Sequence, residues 1–352
     1  MSGTAKFLEE RIRSEGPIPF AEVMAEALYG EDGYYTGAVS PIGAQGDYVT
    51  GSSLSPLFAQ STAQVLRRLD RVLETEADLL EVGYGDGRHL AGVIDGLGGA
   101  KGRRILAYDR VSREVPAGVE RLAHLTLPPQ DRVRGLLFSY ELFDALPVNR
   151  LIVRSDGTLG ELWVDLDAAG NLTYVEGPLS DAELHDALGS GGEPLARGQI
   201  ADIAPGWASL YRRMAGLLEV GLLVTCDYGF DRQRLFDPRV RFHGTLACYR
   251  SQRVHRDALR DLGNQDLTAH VDFSTLREVG EEQGLESVAF TRQARWLLAC
   301  GLFDRIPTDD QASRLQAIDL LNPEGMGEEI RVLVQTRGVE AERLLDLELL
   351  GG

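Results

Sequence analysis

The chain has 352 residues, 43% of them hydrophobic, so it can bury the core of one large domain or of two smaller ones. Its 36 basic and 54 acidic residues give a formal net charge of −18 at pH 7, which argues against non-specific attraction to nucleic acid or to an anionic membrane. A cationic partner is a better electrostatic match. The three cysteines are an odd number without Cys-x-x-Cys spacing, and they indicate neither a disulfide framework nor a metal site.

The first part of the chain predicts a helical segment. Thr4 can cap a short helix that ends at Gly16, and a second amphipathic helix follows at 17–28, before a turn-rich stretch at 30–51. The N-terminus carries several glutamates and no long apolar run, which argues against a signal peptide or a membrane-spanning helix. We therefore expect a cytoplasmic protein.

Strands and helices alternate in the next part. Apolar residues at helical spacing predict a long helix at 55–74, and apolar strands follow from Asp78, at 104–108 and at 133–138. This order favours a mostly parallel sheet with helices on both faces, in which ligands bind where the strands end.

The pattern changes after residue 147. Three short β-like runs separated by turn sequences lie between 148 and 175, and they predict an antiparallel insertion. The remaining predicted elements are helices at 207–220, 273–284 and 292–302 and strands at 222–226 and 328–335.

A glycine loop at 83–87 connects the strand from Asp78 to a helix. Glycines let the main chain approach a ligand, and N–H groups at the start of the helix face an anion, which is typical of an adenosyl cofactor site. A glycine-rich turn between any strand and helix would look the same. Asp109 ends the next strand, where it could accept both ribose hydroxyls of such a cofactor or simply be a solvated acid.

Two acids, Glu141 and Asp144, follow the strand at 133–138. They are three residues apart, so one helical turn would present both carboxylates on one face. Paired carboxylates can orient a planar guanidinium, and proximity then supplies most of the acceleration of a group transfer to it. Either acid could instead cap the following helix, and for Asp144 the two interpretations are equally good.

Three further residues are candidates for contact with a substrate. Asp227 and Tyr228 end the strand at 222–226, where the tyrosine could stack on a substrate or pack in the core. His270 is flanked by acids in a strand-like segment, and it is either a structural histidine or a general base. No His-Glu-x-x-His or Cys-x-x-Cys spacing occurs, so we expect no metal.

Separated motifs make the chain resemble, over almost its whole length, the MidA family of S-adenosylmethionine-dependent methyltransferases, which includes a mitochondrial assembly factor for respiratory complex I. The motif at 265–273 is the most specific. The resemblance rests on Gly-Pro-Ile-Pro-Phe at 16–20, Gly-Asp-Tyr-Val-Thr at 46–50, Leu-Ser-Pro-Leu-Phe at 54–58, the glycine loop, Glu-Leu-Phe-Asp-Ala-Leu-Pro-Val at 141–148, Asp-Tyr-Gly at 227–229, Gly-Thr-Leu-Ala-Cys-Tyr-Arg at 244–250, Gln-Asp-Leu-Thr-Ala-His-Val-Asp-Phe at 265–273 and Gly-Met-Gly-Glu at 325–328.

The resemblance implies an α/β class I methyltransferase (Rossmann-like) fold, with a mostly parallel sheet, a helical N-terminal cap and an antiparallel β insertion. We expect the cap at 1–54, the core at 55–147 and 203–352, and the insertion at 148–202. The implied cofactor is S-adenosyl-L-methionine.

The same resemblance implies roles for site residues. The implied cofactor-binding residues are Gly83, Tyr84, Gly85, Asp86, Asp109 and Tyr140. Glu141 and Asp144 are expected near the transferred methyl group as catalytic residues, and Asp227, Tyr228 and His270 at the substrate.

For the mitochondrial relative, the resemblance implies arginine methylation of a complex I subunit. We therefore expect direct displacement of the methyl group onto a protein arginine, in a bacterial cytoplasmic protein. The expected partner is a protein substrate or an assembly partner, such as a respiratory complex subunit. A homodimer is left open, and neither nucleic acid nor membrane insertion is expected.

The chain departs from the family pattern around the pocket. Tyr84 stands where a small residue is usual and could crowd the cofactor, Tyr140 replaces a usual asparagine, and Ser52 and Ser53 replace a usual Pro-Glu pair. These changes leave open a catalytically weak or inactive member that keeps the fold as a binding or assembly module. A nicotinamide-dependent oxidoreductase is disfavoured, because Arg88 occupies the third glycine position of Gly-x-Gly-x-x-Gly.

Overall fold

A computed structural model describes residues 2–37, 56–100, 102–188, 195–250, 253–306, 311–322 and 326–350. The predicted motif at 46–50, most of the turn-rich stretch at 30–51, and Ser52 and Ser53 lie outside the described residues. Every helix in the described ranges is too short or too polar to cross a membrane.

The helices and strands can be numbered along the chain. The helices are α1 (Gly3–Glu15), α2 (Phe20–Tyr29), α3 (Pro56–Leu73), α4 (Arg88–Leu97), α5 (Leu184–Ala187), α6 (Pro205–Leu217), α7 (Arg232–Leu235), α8 (Pro238–Arg241), α9 (Phe273–Glu282), α10 (Gln293–Ala299), α11 (Gln311–Leu321), α12 (Met326–Glu329) and α13 (Leu347–Leu350). The strands are β1 (Ile18–Pro19), β2 (Asp78–Val82), β3 (Ile105–Tyr108), β4 (Glu120–Arg121), β5 (Val133–Tyr140), β6 (Asn149–Val153), β7 (Leu159–Leu166), β8 (Leu172–Gly177), β9 (Ile200–Ile203), β10 (Leu218–Phe230), β11 (Ala247–Arg250), β12 (Arg253–His255), β13 (Asp266–Thr268), β14 (Val271–Asp272), β15 (Glu286–Arg292) and β16 (Ile330–Arg337).

The chain divides into two compact units. The first unit takes Met1–Tyr48, Phe143–Ala208 and Gly229–Thr275, and the second unit takes Val49–Leu142, Ser209–Tyr228 and Leu276–Gly352. The predicted cap and the predicted insertion thus both contribute residues to the first unit.

The second unit is built on a mostly parallel sheet with the strand order β15-β16-β10-β5-β2-β3-β4. Strands β10, β5, β2, β3 and β4 run parallel, and β16 is antiparallel to both of its neighbours. Strand β2 lies between β3 and β5. The connections that lead to these two strands therefore run to opposite sides of β2, which makes the carboxyl end of β2 a topological switch point. The glycine loop begins at this point.

Helices cover this sheet because its strands are apolar. Parallel strands with helices on both faces are buried on both sides, which explains the apolar residues at 79–80 of β2 and at 136–138 of β5. The core contains fully buried side chains from α3 and from the central and antiparallel strands, among them Phe58, Leu66, Leu79, Phe138 and Val334. This packing fixes the strand ends that carry the candidate site.

The first unit contains the predicted antiparallel strands. Strands β6, β7 and β8 follow the three β-like runs in the sequence, and β1 and β9 complete an antiparallel sheet of order β1-β7-β6-β9, with β8 on β7. A second small sheet of order β12-β11-β13 was not predicted. Strand β14 runs parallel to the end of β10, where Val271 pairs with Gly229.

Several helix boundaries differ from the predictions: the helices predicted at 17–28, 273–284 and 292–302 are Phe20–Tyr29, Phe273–Glu282 and Gln293–Ala299. The first helix is capped by Ser2, whose side chain accepts the N–H of Ala5 at 3.1 Å, and not by Thr4. The helix predicted at 207–220 ends at Leu217, because the following residues pair with β5 as the start of β10.

Candidate functional site

The glycine loop connects β2 to α4 in a conformation that glycine alone adopts without steric cost. Gly83, Gly85 and Gly87 have φ angles of 80°, 57° and 75°. A Cβ atom on Gly83 would lie 2.8 Å from Cδ1 of Leu142, so a larger residue there would have to displace that side chain. Gly83 therefore makes room for Leu142, and the loop turns sharply at the end of β2 through three glycines.

Asp109 follows β3 and is hydrogen-bonded to this loop. Its Oδ2 accepts the N–H of Gly85 at 3.0 Å, and its Oδ1 accepts the N–H of Val111 at 2.9 Å. Burial raises the pKa of Asp109, while these two N–H groups and the charge of Arg113 act in the opposite direction. The structure thus brings Asp109 to the glycine loop, with each carboxylate oxygen oriented by one backbone hydrogen bond.

The buried side chain of Tyr84 connects the glycine loop to the segment that follows Asp109. Its side chain is 3% exposed, and its hydroxyl donates to the carbonyl of Arg113 at 2.6 Å and accepts the N–H of Arg113 at 3.1 Å. The ring therefore supports the segment that follows Asp109.

We expect Tyr84→Phe to loosen this segment. The main chain of Arg113 loses its two bonds to the hydroxyl, which should lower the free energy of unfolding by about 1–2 kcal/mol. Since Asp109 lies in the same segment, the Kd of S-adenosylhomocysteine, measured by calorimetry, should rise about three- to tenfold. Tyr211→Phe is a matched control, because it also removes a buried hydroxyl, bonded to Gln335 at 2.8 Å. Equal effects of both variants on the Kd would contradict the role of Tyr84.

The next part of the site lies at the end of β5. Tyr140 is 5% exposed, its hydroxyl donates to Oε1 of Gln293 at 2.6 Å, and its ring meets Phe58 edge to face at 5.2 Å between centroids. Burial raises the pKa of Tyr140 well above its usual value, and the nearby Glu141 carboxylate adds to this effect. The phenol is therefore a neutral donor.

Glu141 has the left-handed backbone conformation, with φ 47°, which is rare for a residue with a Cβ atom. Its N–H donates to the carbonyl of Cys226 at 2.9 Å, and the N–H of Leu142 donates to Oδ2 of Asp227 at 3.0 Å. These bonds join the ends of β5 and β10. Such strained residues persist where the surrounding structure holds them, and they cluster at active sites.

The first unit contains two more predicted residues. Asp144 is 4% exposed, and its carbonyl accepts the N–H of Ala269 at 2.9 Å, next to His270. The ring of His270 lies 5.5 Å from the ring of Phe230. Glu141 and Asp144 do not share the predicted helical turn, because residues 141–147 form no helix and the positive φ of Glu141 is incompatible with a right-handed one.

The predicted set of site residues did not include Gln293, Glu81 and His89. Gln293 holds Tyr140, and His89 binds Glu81 with its Nδ1 at 2.8 Å from Oε2. An acid inside the apolar strand β2 was the available signal for Glu81, because a carboxylate buried there needs a partner. For Gln293 there was none, since it lies 153 positions from Tyr140.

The described residues fit an adenosyl cofactor at the end of β2. The glycine loop presents its main chain there in positive-φ conformations, and the half-buried Asp109 carboxylate beside it retains lone pairs for hydroxyl donors. Within the same described ranges, no group of three His, Cys, Asp or Glu side chains is placed to hold a metal ion.

Comparisons with known proteins identify the family of the chain. Residues 57–291 match the family model described as "Putative S-adenosyl-L-methionine-dependent methyltransferase". The mitochondrial protein arginine methyltransferase NDUFAF7 homolog of Drosophila melanogaster is 24% identical over 97% of this chain and 86% of its own length. Protein arginine methyltransferase NDUFAF7 of Homo sapiens is 25% identical over 92% of this chain and 81% of its own length.

A solved structure supports the fold and the cofactor. A COG1565 superfamily member from Burkholderia thailandensis, crystallised with S-adenosyl-homocysteine, is 29% identical and superimposes with a TM-score of 0.85, covering 96% of this chain and 92% of the other. The predicted α/β class I methyltransferase fold and the predicted cofactor, S-adenosylmethionine, are thereby confirmed. The chain belongs to the MidA family of S-adenosylmethionine-dependent methyltransferases.

Proposed function

We propose that the protein methylates an arginine side chain of a protein substrate. The relatives from Drosophila melanogaster and Homo sapiens are named protein arginine methyltransferases, at 24% and 25% identity. The net charge of −18 favours a cationic acceptor. The observation that carries the proposal is Glu141, an acid held in a strained conformation at the end of β5, where the sheet edge also carries the glycine loop.

The cofactor side of the site is the end of β2 and β3. We assign the main chain of Gly83, Tyr84, Gly85 and Asp86 to the methionine portion and the Asp109 carboxylate to the ribose hydroxyls. S-adenosylmethionine supplies a methyl group on a positively charged sulfur, which keeps the bonding electrons and becomes neutral when the methyl group forms its bond to nitrogen. The assignment of Tyr140 to the cofactor stays a prediction.

The acceptor side is the end of β5 and β10. Glu141 would accept N–H bonds from the guanidinium, point one nitrogen at the methyl group and take the proton that this nitrogen loses. Asp227 keeps Glu141 in place, because it accepts the N–H of Leu142 at 3.0 Å and the N–H of Tyr228 at 2.8 Å. The substrate contacts of Asp227 and Tyr228, and the roles of Asp144 and His270 in the other unit, stay predictions.

A labelling experiment tests the acceptor. The purified protein is incubated with S-adenosylmethionine carrying a tritiated methyl group and with a lysate of its own cells from which the gene has been deleted. After acid hydrolysis of the labelled protein, we expect the label in methylated arginine. Label in another amino acid, in nucleic acid or in lipid would overturn the arginine assignment. Binding of S-adenosylhomocysteine without any transfer would favour an inactive binding or assembly module.

A separate question is which protein carries the arginine that is methylated. A respiratory complex subunit stays the predicted substrate, and a homodimer stays open. Purifying the labelled band and sequencing its peptides would identify the substrate.

A further inference from the structure

A buried histidine joins the strand and the helix on either side of the glycine loop. His89, the second residue of α4, is 3% exposed, and its Nδ1 lies 2.8 Å from Oε2 of Glu81 in β2. Its Nε2 lies 3.1 Å from Oγ1 of Thr62 in α3. Glu81 is itself only 2% exposed. Strand β2, helix α4 and helix α3 are therefore connected through one imidazole ring.

The contacts of this ring fix its orientation. An ionised carboxylate only accepts hydrogen bonds, so with Glu81 in that form Nδ1 of His89 is the donor. The Thr62 hydroxyl on the other side also lies 3.3 Å from the carbonyl of Phe58. The ring packs at 4.9 Å from the Phe138 ring and at 5.5 Å from the Phe58 ring. The hydrogen bonds and the ring contacts of His89 thus hold its imidazole ring in one orientation.

Stability alone does not account for this arrangement. Burying a carboxylate and an imidazole costs desolvation energy, and apolar residues of similar volume are often as stable or more stable in such positions. The two partners lie on either side of the loop 83–87, so their hydrogen bond closes the chain segment that turns the main chain toward the cofactor. Loop residues that contact a ligand need such support, since loops are otherwise less precisely held than strands and helices.

We propose that His89, through its hydrogen bonds to Glu81 and Thr62, is a positioning residue that holds the glycine loop in the conformation that binds S-adenosylmethionine. The proposal depends on the cofactor and not on the arginine acceptor. It explains why an acid is kept inside an apolar strand. It also predicts that the loop loses cofactor affinity when these hydrogen bonds are removed, even if the core remains filled.

Binding of S-adenosylhomocysteine to the full chain, measured by calorimetry, tests the proposal. His89→Leu keeps most of the volume and removes both bonds, so we expect the Kd to rise at least about tenfold. His89→Asn places an amide nitrogen near the position of Nδ1, keeps a donor for Glu81 and should restore a Kd within about threefold of the original protein. Thr62→Val, which removes one bond, should lie between the two.

The matched control is Val93→Ala, a truncation of a fully buried side chain one turn further along α4. It should lower the unfolding temperature and leave the Kd unchanged, whereas His89→Leu should raise the Kd out of proportion to its effect on stability. An unchanged Kd in His89→Leu, or the same change in Val93→Ala at equal loss of stability, would overturn the proposal. If His89→Leu does not fold, the comparison of Thr62→Val with Val93→Ala decides, and an unchanged Kd in Thr62→Val would refute the proposal.

Discussion

Replacing Asp109 with asparagine is expected to weaken the binding of S-adenosylhomocysteine by about a hundredfold. The proposed ribose contacts are hydrogen bonds to a charged acceptor, each of which contributes about 1.5–3 kcal/mol. The amide also turns one acceptor into a donor, which then faces the N–H of Gly85 or of Val111. Calorimetry of the purified variant measures the effect directly.

The control for this variant is Asp95→Asn, which makes the same chemical change on the exposed face of α4. Its Kd should equal that of the original protein. If Asp109→Asn also binds with an unchanged Kd, the ribose assignment of Asp109 is wrong, even though the proposed support of the loop by His89 could still hold.

Because the pKa of Asp109 is raised, we expect the binding of S-adenosylhomocysteine to depend on pH. Burial raises the pKa of Asp109, so on acidification this carboxylate becomes protonated at a higher pH than an exposed aspartate does. The protonated form is a poorer acceptor for ribose hydroxyls. The affinity for S-adenosylhomocysteine should therefore be constant above the raised pKa and should fall as the pH drops through it. Asp109→Asn should lack this fall, and a parallel fall in that variant would assign it to another group.

The sequence was sufficient for the parts of the site that are local in the chain. The apolar run from Asp78, the glycines after it and the start of α4 are adjacent, so the strand, loop and helix could be predicted together. Asp109 could be predicted at the same edge, because parallel strands end on the same side of a sheet.

The parts that were missed depend on distant contacts. The bond from Tyr140 to Gln293 joins residues 153 positions apart, and no pattern near either residue indicates it. The conformation of Glu141 is imposed by the neighbouring strand β10 through Cys226 and Asp227, and residues 141–148 alone suggested a helical turn instead. The packing of Tyr84 against the main chain of Arg113 likewise depends on how two loops meet.

Glu141 should affect methyl transfer without affecting the cofactor. We expect Glu141→Gln to lower the rate of transfer to the labelled lysate protein by at least about a hundredfold, since the amide neither pairs with a guanidinium nor takes its proton. The Kd of S-adenosylhomocysteine should stay within about twofold, because the cofactor is assigned to other residues. Glu120→Gln, an exposed acid in β4, is the control and should transfer at the original rate.

The backbone of Glu141 allows a second and sharper test. Glycine adopts φ 47° without steric cost, so Glu141→Gly should raise the free energy of unfolding by about 1 kcal/mol while it abolishes methyl transfer. Opposite changes in stability and activity are the expected signature of a residue kept in a strained conformation for its chemistry. If Glu141→Gly is less stable than the original protein, or if Glu141→Gln still transfers methyl groups at more than about a tenth of the original rate, Glu141 does not have the proposed role.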